Sequence, residues 1–155
     1  MLDVLLYLFE NYYMDEETEQ RPDRQSLQSE LLEAGFDRQE IDKSFAWLDS
    51  LAQYRHSGIP ALETAQAIRV HTRLERERLD VDARGFLMFL EQIGILDPAT
   101  RELILDRVMA LDTDEVDLEQ LKWIILMVLF NQPGQEAAYA WMEDLVFEEP
   151  GARVH

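Results

Sequence analysis

The sequence predicts a mainly α-helical protein, and three observations carry that prediction. Apolar residues recur at spacings of three and four through most of the 155 residues. Helix start and stop signals punctuate them, while six Gly and five Pro leave little chain for long irregular loops. The eight consecutive apolar residues Trp123 to Phe130 form a helix-length run that must be covered on every side. The expected layout is an N-terminal three-helix, winged-helix-like subdomain at 1–56 and a seam at 57–74 with at most a short β-hairpin. A C-terminal four-helix bundle at 75–148 and a flexible tail at 149–155 follow.

Residues 2–14 read as the first helix, with Val4, Leu5, Leu8, Phe9 and Tyr12 at helical spacing. A polar stretch from Asp15 to Arg24, with Pro22 inside it, ends that pattern. The second helix, 24–34, places Leu27, Leu31 and Leu32 on one face, and Gly35 stands where a left-handed residue closes a helix at little steric cost. The third opens on Asp37 as N-cap, with Glu40 reaching back from N3 and Phe36 and Ile41 as a hydrophobic staple. Its inward face is Ile41, Phe45, Leu48 and Ala52, widened by Trp47, Leu51 and Tyr54, and it should end near 53–56.

Ser57-Gly58-Ile59-Pro60 breaks the chain. Ile68 to Thr72 alternates apolar and polar side chains, a weak strand signal that needs a pairing partner for its backbone. Leu74 to Leu79 suits a short helical turn. A helix over 82–95 brings Phe86, Leu87, Leu90 and Ile93 together. Asp97-Pro98, a cap followed by proline at N1, opens helix 98–111 with Leu103, Ile104, Val108 and Leu111. Asp117 and Gln120 form a capping box at the start of the apolar helix 118–131, which Pro133-Gly134 stops. A last helix, 135–148, buries Ala138, Trp141, Met142 and Leu145.

Composition narrows the function classes. The net charge is −18, from 32 acidic and 14 basic residues, and only Lys43 and Lys122 are lysines. Such a surface repels duplex phosphates and anionic membranes unless its cations cluster, and it favours solubility. The absence of Cys removes disulfides, thiolate zinc sites and cysteine nucleophiles. The first ten residues have no positive n-region and Asp3 interrupts them, so they do not read as a signal peptide. No apolar run approaches the roughly 18–20 residues of a membrane span. The expectation is a soluble cytoplasmic protein without membrane contact.

Each candidate site has a structural reading beside the functional one. Residues 24–54, with 68–73 as a wing, resemble a helix-turn-helix. Its second helix offers Arg38, Gln39, Lys43 and Gln53 but also Asp37, Glu40, Asp42 and Asp49, so it is net acidic and suits protein contact better than base reading. Arg55, Arg69, Arg73, Arg76 and Arg78 collect near His56 and His71 as the one candidate for anion or nucleic-acid contact. Glu75 and Glu77 interleave them, which is the pattern of pairing on a solvated helix. Arg84 is expected to pair with Asp80 or Glu91. Asp112, Asp114, Asp117 and Glu119 invite an EF-hand comparison, but the turn glycine and terminal glutamate are missing, and helix capping explains them.

The histidines lack ligand spacing, and no Gly-rich phosphate loop or nucleophile constellation stands out. No catalytic, cofactor or metal residues are therefore assigned. Trp123, Ile124, Ile125, Leu126, Val128, Leu129 and Phe130 are assigned to the core. Covering eight such side chains is worth roughly 12–24 kcal/mol before ordering entropy is subtracted. Where seven short helices fall short of that cover, a homodimer or another protein would supply it.

Four stretches resemble the Smg family of bacterial proteins: M-L-D-V-L-L-Y-L-F-E at 1–10, A-G-F-D-R-Q-E-I at 34–41, R-G-F-L-M-F-L-E-Q-I at 84–93, and D-L-E-Q-L-K-W-I-I-L-M-V-L-F-N-Q-P-G at 117–134. They span the chain, with 55–68 matching least. The resemblance implies no assigned biochemical activity and no site residues to carry over. Its members are often encoded beside a DNA-processing protein, which is association without mechanism. The reading that results is a non-enzymatic interaction or adaptor protein of the bacterial cytoplasm with a protein partner. The alternative is a nucleic-acid-associated module linked to DNA processing through the arginines at 55–78. An enzyme of unassigned class is the third reading.

Overall fold

The computed structural model describes residues 1–13, 23–57 and 72–147. They form α1 (Leu2–Leu8), which runs on as a π-helical segment Phe9–Tyr13, then α2 (Arg24–Glu33), α3 (Arg38–Ser57) and α4 (Arg73–Arg78). After these come α5 (Val81–Gln92), α6 (Pro98–Met109), α7 (Leu118–Asn131) and α8 (Glu136–Phe147). The described residues contain no strand. Their one bridge is isolated and parallel, between Leu79 and Val116. Residues 68–71 of the expected strand and of the wing built on it lie outside the described residues, as does the tail at 149–155, while Thr72 and Arg73, their last residues, cap and open α4 instead.

Short-range chemistry sets the helix starts. Asp23, Asp80 and Asp97 accept from the backbone N–H groups of Ser26, Ala83 and Thr100 at 2.8, 2.8 and 2.7 Å. Asp117 and Gln120 close the expected capping box at 2.8 and 3.0 Å, and Thr72 with Glu75 closes a second at the start of α4. Part of the acidity is therefore placed on helix N-termini, where the helix dipole favours it. The cap expected at Asp37 does not form: among the described residues its side chain makes no hydrogen bond to α3. Glu40 turns instead toward the α-ammonium of Met1, 3.8 Å away, because a cation is a stronger partner than a solvated amide.

The stop signals are as local as the starts. Gly35 has φ +99°, and Gly35 N–H and Phe36 N–H donate to the carbonyls of Leu32 and Leu31 at 3.1 Å each. That pair of bonds is a Schellman ending, and the positive φ requires glycine. Leu32 corrects the expected inward face of α2. It is 46% exposed, because it lies one residue round the helix from the Leu27–Leu31 stripe that is buried.

α7 is the centre of the molecule, packed by α8, α6, α3 and α5. Ile124, Ile125, Leu126, Met127, Val128 and Leu129 are all buried, while Trp123 and Phe130 at the two ends of the apolar run are partly buried. Phe9 meets both end residues edge-on, at ring separations of 6.4 Å to Trp123 and 5.6 Å to Phe130. α1 is likewise apolar on two sides for a reason. Leu2, Leu5 and Phe9 join the main core, and Val4 and Leu8 join a smaller cluster with Leu27, Leu31, Ile41 and Phe45. The main core also contains Trp47 and Leu51 of α3, so it does not stop at the seam expected at 57–74.

Two polar ties fix α3 and α4 to α6. Trp47 Nε1 donates to the Arg107 carbonyl at 2.8 Å, and Arg107 Nη1 donates back to the Trp47 carbonyl at 3.2 Å with its guanidinium over the Trp47 ring. Val116 N–H donates to the Arg78 carbonyl at 2.8 Å, which clips the α6–α7 link to the end of α4.

Candidate functional site

The arginines named from the sequence do not converge on one surface. Arg69 and the side chain of Arg55 lie outside the described residues. Arg73 is 86% exposed and pairs with Glu77 at 3.0 Å, and Arg76 is exposed on the same short helix. Arg78 turns inward. Its Nη1 donates to the carbonyls of Val108, Met109 and Leu111 at 3.2, 2.9 and 2.9 Å. These are acceptors at and just beyond the last turn of α6, so Arg78 supplies both hydrogen bonds and a charge that complements the helix dipole.

Two shallow clefts of about 310 and 330 Å³ adjoin this segment. The larger is lined by Arg76 and Arg78, but also by the carboxylates of Glu77, Asp80, Glu115 and Asp117. The smaller adds Leu74, Met109 and Asp114. A phosphate entering either cleft would meet more carboxylates than guanidinium groups, with Arg78 already engaged by backbone carbonyls.

The acidic residues at 112–119 also divide by role. Asp112 takes Lys43 at 3.1 Å and lies 4.0 Å from the Met1 ammonium. The Lys43 hydrogen bond, chiefly, holds its carboxyl below the ordinary carboxylate range, with the Met1 ammonium adding to the effect. Asp117 caps α7, and Glu119 pairs with Lys122 at 3.1 Å. Among the described residues no group of three or more His, Cys, Asp or Glu could hold a metal ion. Arg84 reaches the Asp80 backbone carbonyl at 3.3 Å, not its carboxylate, which is committed to the α5 cap. Glu91, the other expected partner of Arg84, pairs with the buried Arg101, which also holds Glu102 at 3.1 Å.

One surface feature has no counterpart in the sequence reading. On the face of α5 turned away from the core, Val81 is 73% exposed, Met88 47% and Phe89 46%, and Ile93 just past the helix end is 46% exposed. Ile93 was expected inside. α5 ends at Gln92, and Ile93 leaves the buried stripe of Ala83, Leu87 and Leu90. Gly85 lies among the outward residues, with open space where a side chain would stand. An apolar stripe on the inner side was legible from periodicity; a second one on the outer side is visible only when the cover is known.

Among the described residues no helix is long and apolar enough to cross a membrane. Residues 1–155 match the family model described as protein of unknown function (DUF494). A Protein Smg homolog of Nitrosococcus oceani is 58% identical over 156 residues, covering all of this chain and 98% of the relative. Those of Thioalkalivibrio sulfidiphilus and Shewanella piezotolerans are 55% and 51% identical, again over the whole chain and 98% and 99% of the relatives. No solved structure matches the chain. Agreement over the full length means that this chain belongs to the Smg family, the proteins of unknown function grouped as DUF494.

Proposed function

We propose that this chain works by binding another protein in the bacterial cytoplasm, as an adaptor and without turning over a substrate. The observation that carries this reading is the outward apolar face of α5, where Val81, Met88 and Phe89 stand exposed on a chain of net charge −18. A charged protein keeps solvent-facing apolar side chains scattered, and their concentration on one helix face marks a contact surface. The test is affinity purification of the tagged, folded chain from its source bacterium. A partner recovered in stoichiometric amount is the expected result. Repeated recovery of the chain alone, from lysates in which it is folded and abundant, overturns the proposal.

A further inference from the structure

Resting on that reading, we infer that the outer face of α5 docks an amphipathic helix of positive net charge. The face has the shape for a helix. Val81, Gly85, Met88 and Phe89 recur at i, i+4, i+7 and i+8, which lines them along one side of a three-turn helix. Gly85 sits mid-face with nothing within 4 Å of the position of a Cβ, so a crossing backbone can approach closely there. Flanking apolar side chains then fit into the grooves of the incoming helix. α5 is about 18 Å long at 1.5 Å per residue, so the contact is small and suits a reversible complex.

The charge of the partner follows from the rim. Asp80 and Asp82 are exposed at the N-terminal end of the face. Along its flanks the cations are already engaged by carboxylates or carbonyls. Arg101 is held by Glu91 and Glu102, Lys122 by Glu119 beside the Phe86 ring, and Arg84 by the Asp80 carbonyl. Asp80, Asp82, Glu91, Glu102 and Glu119 outnumber Arg84, Arg101 and Lys122 around the face, so its rim is net negative, on a molecule of charge −18. A second copy of this chain would bring like charges together, whereas a Lys- or Arg-flanked apolar stripe is complementary in both respects.

The probe is a fluorescein-labelled 18-residue peptide of Leu and Lys patterned as an amphipathic helix, with a Leu and Glu peptide of the same pattern as control. Fluorescence anisotropy with the full chain reports binding. The Lys peptide should bind and the Glu peptide should not. Met88→Asp with Phe89→Asp should weaken binding tenfold or more, although it adds negative charge. Diffuse attraction of a cationic peptide to an acidic protein would do the opposite and strengthen. Val81→Asp, at the first residue of α5 where an acid suits the helix, should weaken binding about threefold without unfolding risk. Leu32→Asp, an equally exposed leucine on α2, should leave it unchanged. Unaltered or tighter binding by the α5 variants overturns the inference. So does a wild-type dimer in sedimentation that Phe89→Asp dissociates, since the occupant is then a second copy. In the affinity purification, a stoichiometric partner retained equally by the Met88→Asp/Phe89→Asp variant removes this surface and leaves the protein-binding reading standing. Recovery of no partner by the wild type removes both.

Discussion

Arg78 shows how a residue's role depends on partners far along the chain. Next to Arg76 and near Arg73 it reads as part of a basic patch, yet its three acceptors lie 30, 31 and 33 residues downstream. No local pattern carries that information. Arg78→Ala leaves the end of α6 without its donor, and hydrogen bonds from a charged group are worth about 1.5–3 kcal/mol. The expected loss of stability is about 1–3 kcal/mol by urea denaturation, whereas Arg73→Ala and Arg76→Ala should stay within about 0.5 kcal/mol. Asp112 carries a pH prediction. Its folded-state pKa lies below the ordinary carboxylate value of 3.8, through Lys43 first and the Met1 ammonium second. Its contribution is therefore complete at neutral pH and disappears as pH falls through the lowered folded value. Asp112→Asn should cost a few tenths to about 1 kcal/mol at neutral pH, the range for an exposed pair. In strong acid the variant and the wild type should denature at the same urea concentration.

Helix boundaries were largely legible because their causes are local. Asp97-Pro98, the Asp117–Gln120 box and Gly35 each act within a few residues of themselves, and all three form as expected. Thr72 and Glu75 carry the same capping signature inside an arginine-rich stretch that draws attention to charge instead. Helix faces were less legible. In α5 apolar residues occupy both sides, so periodicity cannot say which side the core takes, and Ile93 and Phe89 fall outward. Ile124 to Leu129 of α7 offer no such ambiguity, because all six are buried. Ile125→Ala there removes fully buried atoms and leaves a cavity, with an expected loss of about 2–5 kcal/mol. Asp117→Ala removes one cap and should cost about 1 kcal/mol. Thermal or urea denaturation ranks the two, and a cap substitution costing more than the core one would contradict the central position of α7.

At the scale of the whole molecule, apolar packing joins residues from both sides of 57–74. The change of texture at 57–74 reads as a boundary, because linker composition is a local property, whereas sharing of a core is a property of residues distant in sequence. Leu2, Leu5, Trp47 and Leu51 lie in one apolar cluster with Leu105, Ile125 and Met142. The smaller cluster of Val4, Leu8, Leu27, Leu31, Ile41 and Phe45 lies within α1 to α3, but α1 and α3 contribute to the main core as well, so the N-terminal helices do not pack by themselves alone. Removing either half exposes the apolar face of the other, and the two should therefore unfold together. Leu31→Ala in the small cluster and Leu126→Ala in α7 test this from opposite ends. Each should move a single urea transition to lower concentration. Tryptophan fluorescence, from Trp47 in α3 and Trp123 and Trp141 in α7 and α8, should follow the same curve as far-UV circular dichroism. Independent subdomains would instead give two transitions, with Leu31→Ala shifting one and Leu126→Ala the other. Coincident curves that shift as a whole make α1 and α3, which contribute to both clusters, the elements that couple the two ends of the chain.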